Sequence, residues 1–252
     1  TLDQYHSSAR STSLSTLVPD WLLADGKDSI KALYSRPEVR KGVTAYMLKH
    51  LQKRKLKHFS YPVVASFSDD STMNGKSIEE VNLAKGKKHK VSEEAETIIQ
   101  MMEQGGADMV FHGMSDKDVK TIMQYPFNMF ASDASIRIYG SGNPHPRGYG
   151  TNARVLSKYV RDEKVISLEE AVRRMSSLPA QKFQLRDRGI LREGFAADIV
   201  VFDEQKVQDL STYDKPHQYS AGFIYVVVNG NLTVEDGKHN GTRAGSVLRL
   251  KM

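Results

Sequence analysis

The chain of 252 residues contains no cysteine. That excludes disulfides and thiolate metal ligands, so any metal it binds must be held by His and carboxylates. It also lacks an apolar run near the roughly twenty residues needed to cross a bilayer, and no membrane partner is expected. Nor does charge of one sign dominate: 36 Lys and Arg against 30 Asp and Glu leave a formal charge of +6, concentrated in Lys49–Lys57 and Lys85–Lys90. The second cluster has no aromatic residues interleaved with it to stack on bases, so two solvated Lys-rich faces are expected and a nucleic-acid partner is not. A basic-then-apolar leader is missing as well, and the chain opens on Thr1 rather than Met. The native start is therefore expected upstream, which leaves a signal peptide open. The cytoplasm is the expected location, with which a cysteine-free chain is compatible.

What is present is the composition of a globular protein, 39% hydrophobic and 26% charged, enough for one large domain or a medium one with an appendage. Pro19 opens a helix start at Asp20-Trp21-Leu22-Leu23. A helical block from Ser29 to about Lys55 carries Ile30, Leu33, Val43, Met47, Leu48 and Leu51 at spacings of three and four, and Pro37 divides it. Tyr61–Phe67, Asp108–His112 and Phe127–Ala131 are short apolar runs of strand type. Between them Ser77, Ser92 and Ser115 are placed to cap helices, one ended by Gly105-Gly106 and another by Pro126. Strand, helix, strand, helix, strand is the pattern of parallel βα units. After Arg154–Asp162 and a second amphipathic helix at Leu168–Ser176, the chain turns to β character at Ile190-Leu191, Ala197–Phe202, Phe223–Val228, Leu232–Val234 and Val247–Leu250, with Asn229-Gly230 as a hairpin turn.

The most informative stretch runs from Met129 to Thr151. An apolar run ends in an acid at Asp133, and a Gly- and Pro-rich loop then brings His145, Arg147 and Tyr149 within five positions. This is how a barrel strand presents a catalytic acid at the mouth of an α/β barrel.

Further residues make the pattern specific. Leu185–Gly194 and Gly194-Phe195-Ala196-Ala197-Asp198-Ile199-Val200 look like the carboxyl-terminal signature of the amidohydrolase superfamily. Ser132-Asp133, His145-Pro146-Arg147, Tyr149-Gly150-Thr151, Arg154-Val155-Leu156 and Pro216-His217-Gln218-Tyr219 narrow the resemblance to the N-acyl-D-amino-acid deacylases, the D-aminoacylases, from about Asp3 to Arg249. The resemblance implies an α/β fold: the carboxyl-terminal part of a metal-dependent TIM-like barrel over 1–188, followed by part of a small β-sandwich over 189–252. It implies zinc as cofactor and an N-acyl amino acid as the small-molecule partner. The family's early His-x-His strand, its metal-binding Cys and its mid-barrel Ser-His strand end are absent. Most metal ligands are therefore expected outside the chain, which is expected to be inactive alone.

By that resemblance Asp133 is both metal contact and catalytic proton carrier. Amide hydrolysis needs a base to take a proton from water and an acid to give it to the leaving amine. His145, Arg147 and Tyr149 are the expected substrate contacts, Arg147 because its guanidinium suits the carboxylate every N-acyl amino acid carries. His6 is a second candidate ligand, one place from the family position on which Tyr5 falls, although strand alternation turns it to the other face. His112 faces a similar choice, with a hydrogen-bonded structural role favoured. Ala134 and Asn152-Ala153 depart from the family pattern and bear on the pocket.

Two other readings stay open. One is a non-catalytic amidohydrolase-like binding or structural protein without the metal site. The other is a cyclic-amide hydrolase of hydantoinase or dihydropyrimidinase type. A barrel of fewer than eight strands also leaves open edges, so an amino-terminal segment or partner chain completing it is expected.

Overall fold

The structure is a computed structural model and describes residues 1–24 and 26–249. In chain order its strands and helices begin β1 (Leu2–Gln4), β2 (Ala9–Ser13), α1 (Lys27–Tyr34), α2 (Pro37–Lys53), β3 (Pro62–Ser66), α3 (Ile78–Ala84), α4 (Val91–Glu103), β4 (Asp108–His112) and α5 (Asp116–Met123). They continue with β5 (Asn128–Phe130), α6 (Arg147–Arg154), α7 (Leu168–Met175), α8 (Ser177–Lys182), β6 (Ile199–Phe202), β7 (Phe223–Val228), β8 (Asn231–Glu235) and β9 (Lys238–His239). The fold is α/β, and the chain divides into two compact units. Among the described residues, no helix is long and apolar enough to cross a membrane.

One unit comprises Ser8–Met114 and Ile138–His145. Its three-stranded sheet has the order β2-β4-β3 and is antiparallel throughout, with Val63 opposite Val110 and Arg10 opposite Phe111. This corrects the parallel βα reading of these strands. Parallel neighbours need a crossover, and here two packed helices, α3 and α4, lie between β3 and β4 and let the chain return along its neighbour. Pro37 stands at the start of α2 and separates it from α1, while Val43, Met47 and Leu51 bury the helix face that the spacing indicated. Ser77 and Glu80 form a reciprocal capping box on α3. Ser92 does not cap: α4 begins at Val91, two residues before the start a Ser92 cap would give, and its N-cap Lys90 makes no side-chain cap bond. Pro19 precedes only a short 3-10 turn, Asp20–Leu23.

The other unit comprises Thr1–Ser7, Ser115–Arg137 and the described residues from Pro146 onward. Here β1 pairs with β5 in parallel. Ser115 caps α5 and Ser167 caps α7. The sheet β6-β7-β8-β9 is antiparallel, and β7 and β8 flank the Asn229-Gly230 turn, Asn229 taking the left-handed φ of 47° that such a turn requires. Ile190-Leu191 and 247–249 form no strand, and Leu250 lies outside the described residues. Ala153, Val155, Leu156, Val160 and Ala171 bury one face against Val207.

Candidate functional site

Just past β5, Asp133 adopts φ of 48°. Asp tolerates the left-handed region better than most residues, yet holding it there costs on the order of 1 kcal/mol or more, and such positions cluster at functional sites. Its Oδ2 lies 2.8 Å from Nη2 of Arg147. The two partners are unequally placed: the Arg147 side chain is 6% exposed, that of Asp133 63%. The guanidinium also lies over the Tyr5 ring, 4.6 Å from its centroid, so it is desolvated against one residue while charge-paired with another.

The expected His-Pro-Arg loop is in fact the start of a helix. Pro146 precedes α6, and Arg147 and Tyr149 lie in its first turns; proline's fixed φ is already helical. The two glycines hid this helix from a propensity reading. Gly150 has a packing reason, since a Cβ there would stand 1.9 Å from Oδ1 of Asp209. Asp209 is 4% exposed, pairs with Arg154 at 3.3 Å and accepts from the Ser211 N–H at 3.0 Å. Burial pushes its carboxyl above the ordinary carboxylate range, against the pull of Ser211 and Arg154.

Tyr149 is held by residues far along the chain. Its hydroxyl is 2.8 Å from Nδ1 of His217, and its ring meets those of His217 and Tyr219 edge to face. Arg147 and Tyr149, with Phe130, Ser132, Met175 and Tyr219, border a cavity of about 1060 Å³; Asp133 is not among its lining residues. His217 and Tyr219 were legible only as a motif, because nothing local links them to Tyr149.

The candidate histidines are buried or engaged. His6 is 2% exposed, its Nδ1 3.3 Å from Ser7 Oγ, and its carbonyl accepts from the Tyr159 hydroxyl at 2.8 Å. His145 falls in the other unit, where its Nε2–H donates to the Ala9 carbonyl at 2.9 Å. His112 ends β4 opposite Ala9, and its backbone N–H donates to Tyr61. Among the described residues, no cluster of three or more His, Cys, Asp or Glu donors within metal-binding reach includes Asp133 or His6.

Comparison with known proteins fits this geometry into a family. The sequence profile of the amidohydrolase family matches residues 42–234. The N-acyl-D-glutamate deacylase of Alcaligenes xylosoxydans xylosoxydans is 42% identical over 124 residues, covering 49% of this chain and 25% of that protein. The D-aminoacylase of the same organism is 36% identical over 176 residues, covering 70% and 34%. The structure of N-acyl-D-glutamate deacylase from Bordetella bronchiseptica, complexed with zinc and a phosphonate inhibitor that mimics the tetrahedral intermediate, superimposes with a TM-score of 0.70 at 26% identity, over 99% of this chain and 42% of that one. The chain thus spans about a quarter to a third of the length of these curated relatives.

Proposed function

Because this chain belongs to the amidohydrolase family, we propose that it is part of a zinc-dependent deacylase that hydrolyses the amide bond of N-acyl-D-amino acids. The observation that carries this reading is the 36–42% identity to two deacylases of D-amino acids. In the same reading, 1–188 is the last part of the barrel and the residues from 189 are a portion of a β-sandwich. The antiparallel sheet β6 to β9, which lies wholly beyond 189, supports that division.

Asp133 is the proton carrier. Its carboxylate is open to water on one side and anchored by Arg147 on the other, so it can take a proton from an attacking water and return it to the leaving amine. Zinc, when bound, would supply Lewis acidity toward such a water. A zinc site needs three or four protein ligands, and among the described residues those around Asp133 do not provide them; His6, buried beside Ser7, adds at most one. In this reading the remaining ligands come from a segment or partner chain outside these residues. Apolar side chains left open to solvent support such a partner: Ile136, Leu191 and Val247 are at least 80% exposed.

Arg147 and Tyr149 line the cavity and are the substrate contacts, Arg147 receiving the amino-acid carboxylate while steadying Asp133. For His145, donation to the Ala9 carbonyl supports a structural contact. The test is a panel of N-acetyl D- and L-amino acids presented to the longer zinc-loaded protein that carries this sequence. Release of free D-amino acid with the L-series inert is expected; an inert D-series overturns the reading.

A further inference from the structure

We propose that His58, Glu79, His89 and Glu94 form a structural zinc site within the unit that contains β2, β3 and β4. Each offers one ligand atom, and the four atoms lie within 4.8 Å of one another. They are brought together from separate segments: His58 precedes β3, Glu79 lies in the first turn of α3, His89 lies between α3 and α4, and Glu94 lies in the first turn of α4. No short ligand-spacing motif marks them, which is why the sequence did not show them.

The arrangement has the features of a built site. His58 Nδ1 is 2.5 Å from Glu94 Oε1 and 3.8 Å from Glu79 Oε1, and His89 Nε2 is 2.6 Å from that same Glu79 oxygen. The two imidazoles stack, centroids 4.3 Å apart and planes 23° from parallel, with both ligand nitrogens turned to the carboxylates. The Glu94 side chain has no exposure, and its other oxygen accepts from the Phe59 N–H at 2.8 Å, the outer partner that orients a metal ligand. His89 is 52% exposed and leaves an entry path.

The donor set suits zinc and other imidazole-binding transition ions over the hard cations. Two imidazoles disfavour calcium and magnesium, which take oxygen ligands, while two carboxylates balance a divalent charge. Tetrahedral zinc bonds of 2.0–2.2 Å place ligand atoms about 3.4 Å apart. Bound zinc would open the contacts at 2.5 and 2.6 Å and close the one at 3.8 Å. The ion would pin the Lys85–Lys90 connection to the start of β3, giving that Lys-rich stretch a fixed course.

Titration calorimetry of the chelator-stripped longer protein that carries this sequence, with zinc, and visible spectra with cobalt substituted for it, test the site. One equivalent beyond the metal of the proposed catalytic site should bind with tetrahedral cobalt absorption. His89→Ala, a change at a half-exposed position that spares the core, should weaken binding more than about 100-fold, beyond the usual cost of losing an outer partner. His58→Gln should do the same, circular dichroism confirming that both variants fold. Absence of that further equivalent, or equal affinity for it in the wild type and both histidine variants, would overturn the proposal and leave two hydrogen-bonded His-Glu pairs.

Discussion

The Asp133 carboxylate and the Arg147 guanidinium, 2.8 Å apart, join the end of β5 to the first turn of α6. The buried member is the cation and the open member is the acid, so the pair holds Asp133 in a left-handed backbone conformation without enclosing it. Arg147→Lys in the zinc-loaded enzyme removes the planar fork that grips a substrate carboxylate. Losing charge-assisted hydrogen bonds at about 1.5–3 kcal/mol should raise KM by about 10- to 100-fold. An unchanged KM would remove Arg147 from substrate binding.

Two glycines of α6 should respond in opposite directions to alanine. At Gly148 a Cβ would meet Ala134 and Arg137 at 3.7 and 3.8 Å, ordinary contact, so Gly148→Ala should gain up to about 1 kcal/mol from helix propensity. At Gly150 the Cβ collides with Asp209, which is held by Ser211 and Arg154. Gly150→Ala should therefore lose about 1–3 kcal/mol despite the same propensity gain. Urea unfolding of both variants measures the difference; a stabilised Gly150→Ala would mean that Asp209 moves aside freely.

Acid should weaken the α7 network. Glu170 accepts from Arg173 and Arg174, which hold its carboxyl down from 4.5 to about 2, and the same arginines reach the carbonyls of Pro126 and Met123. A depressed folded-state pKa adds stability that is complete above 4.5 and is lost as pH falls toward about 2. Glu170 is 38% exposed, so screening limits the effect to about 0.5–1 kcal/mol. Thermal unfolding of wild type and Glu170→Gln should differ near neutral pH and converge in strong acid; a pH-independent difference would refute this.

The exposed Ile136, Leu191 and Val247 predict association. Light scattering of the isolated chain should report oligomers or aggregates, and addition of the amino-terminal segment or partner chain proposed above should restore a defined species. A monodisperse monomer of these residues alone would contradict the need for a partner.

Much of this was legible in the sequence where a local rule sufficed: the Pro37 break, the Ser77 and Ser115 caps and the Asn229-Gly230 hairpin all have short-range causes. Strand direction was not, since the antiparallel pairing of β3 with β4 depends on two intervening helices rather than on either strand. Helix α6 was read as loop because Gly148 and Gly150 suggest turns, and the need for Gly150 comes from Asp209, far along the chain. The contacts of Tyr149 with His217 and Tyr219, and the His58, Glu79, His89 and Glu94 cluster, likewise join distant segments.

The central claim is that Asp133 carries the proton in deacylation, and the steady-state rate of N-acetyl-D-amino-acid hydrolysis by the zinc-loaded full-length enzyme, wild type against Asp133→Asn, tests it most directly. Asparagine keeps the shape and cannot shuttle a proton, so kcat should fall about 10²- to 10⁴-fold with the metal still bound. A variant retaining its zinc and a kcat within a few-fold of wild type would contradict the account.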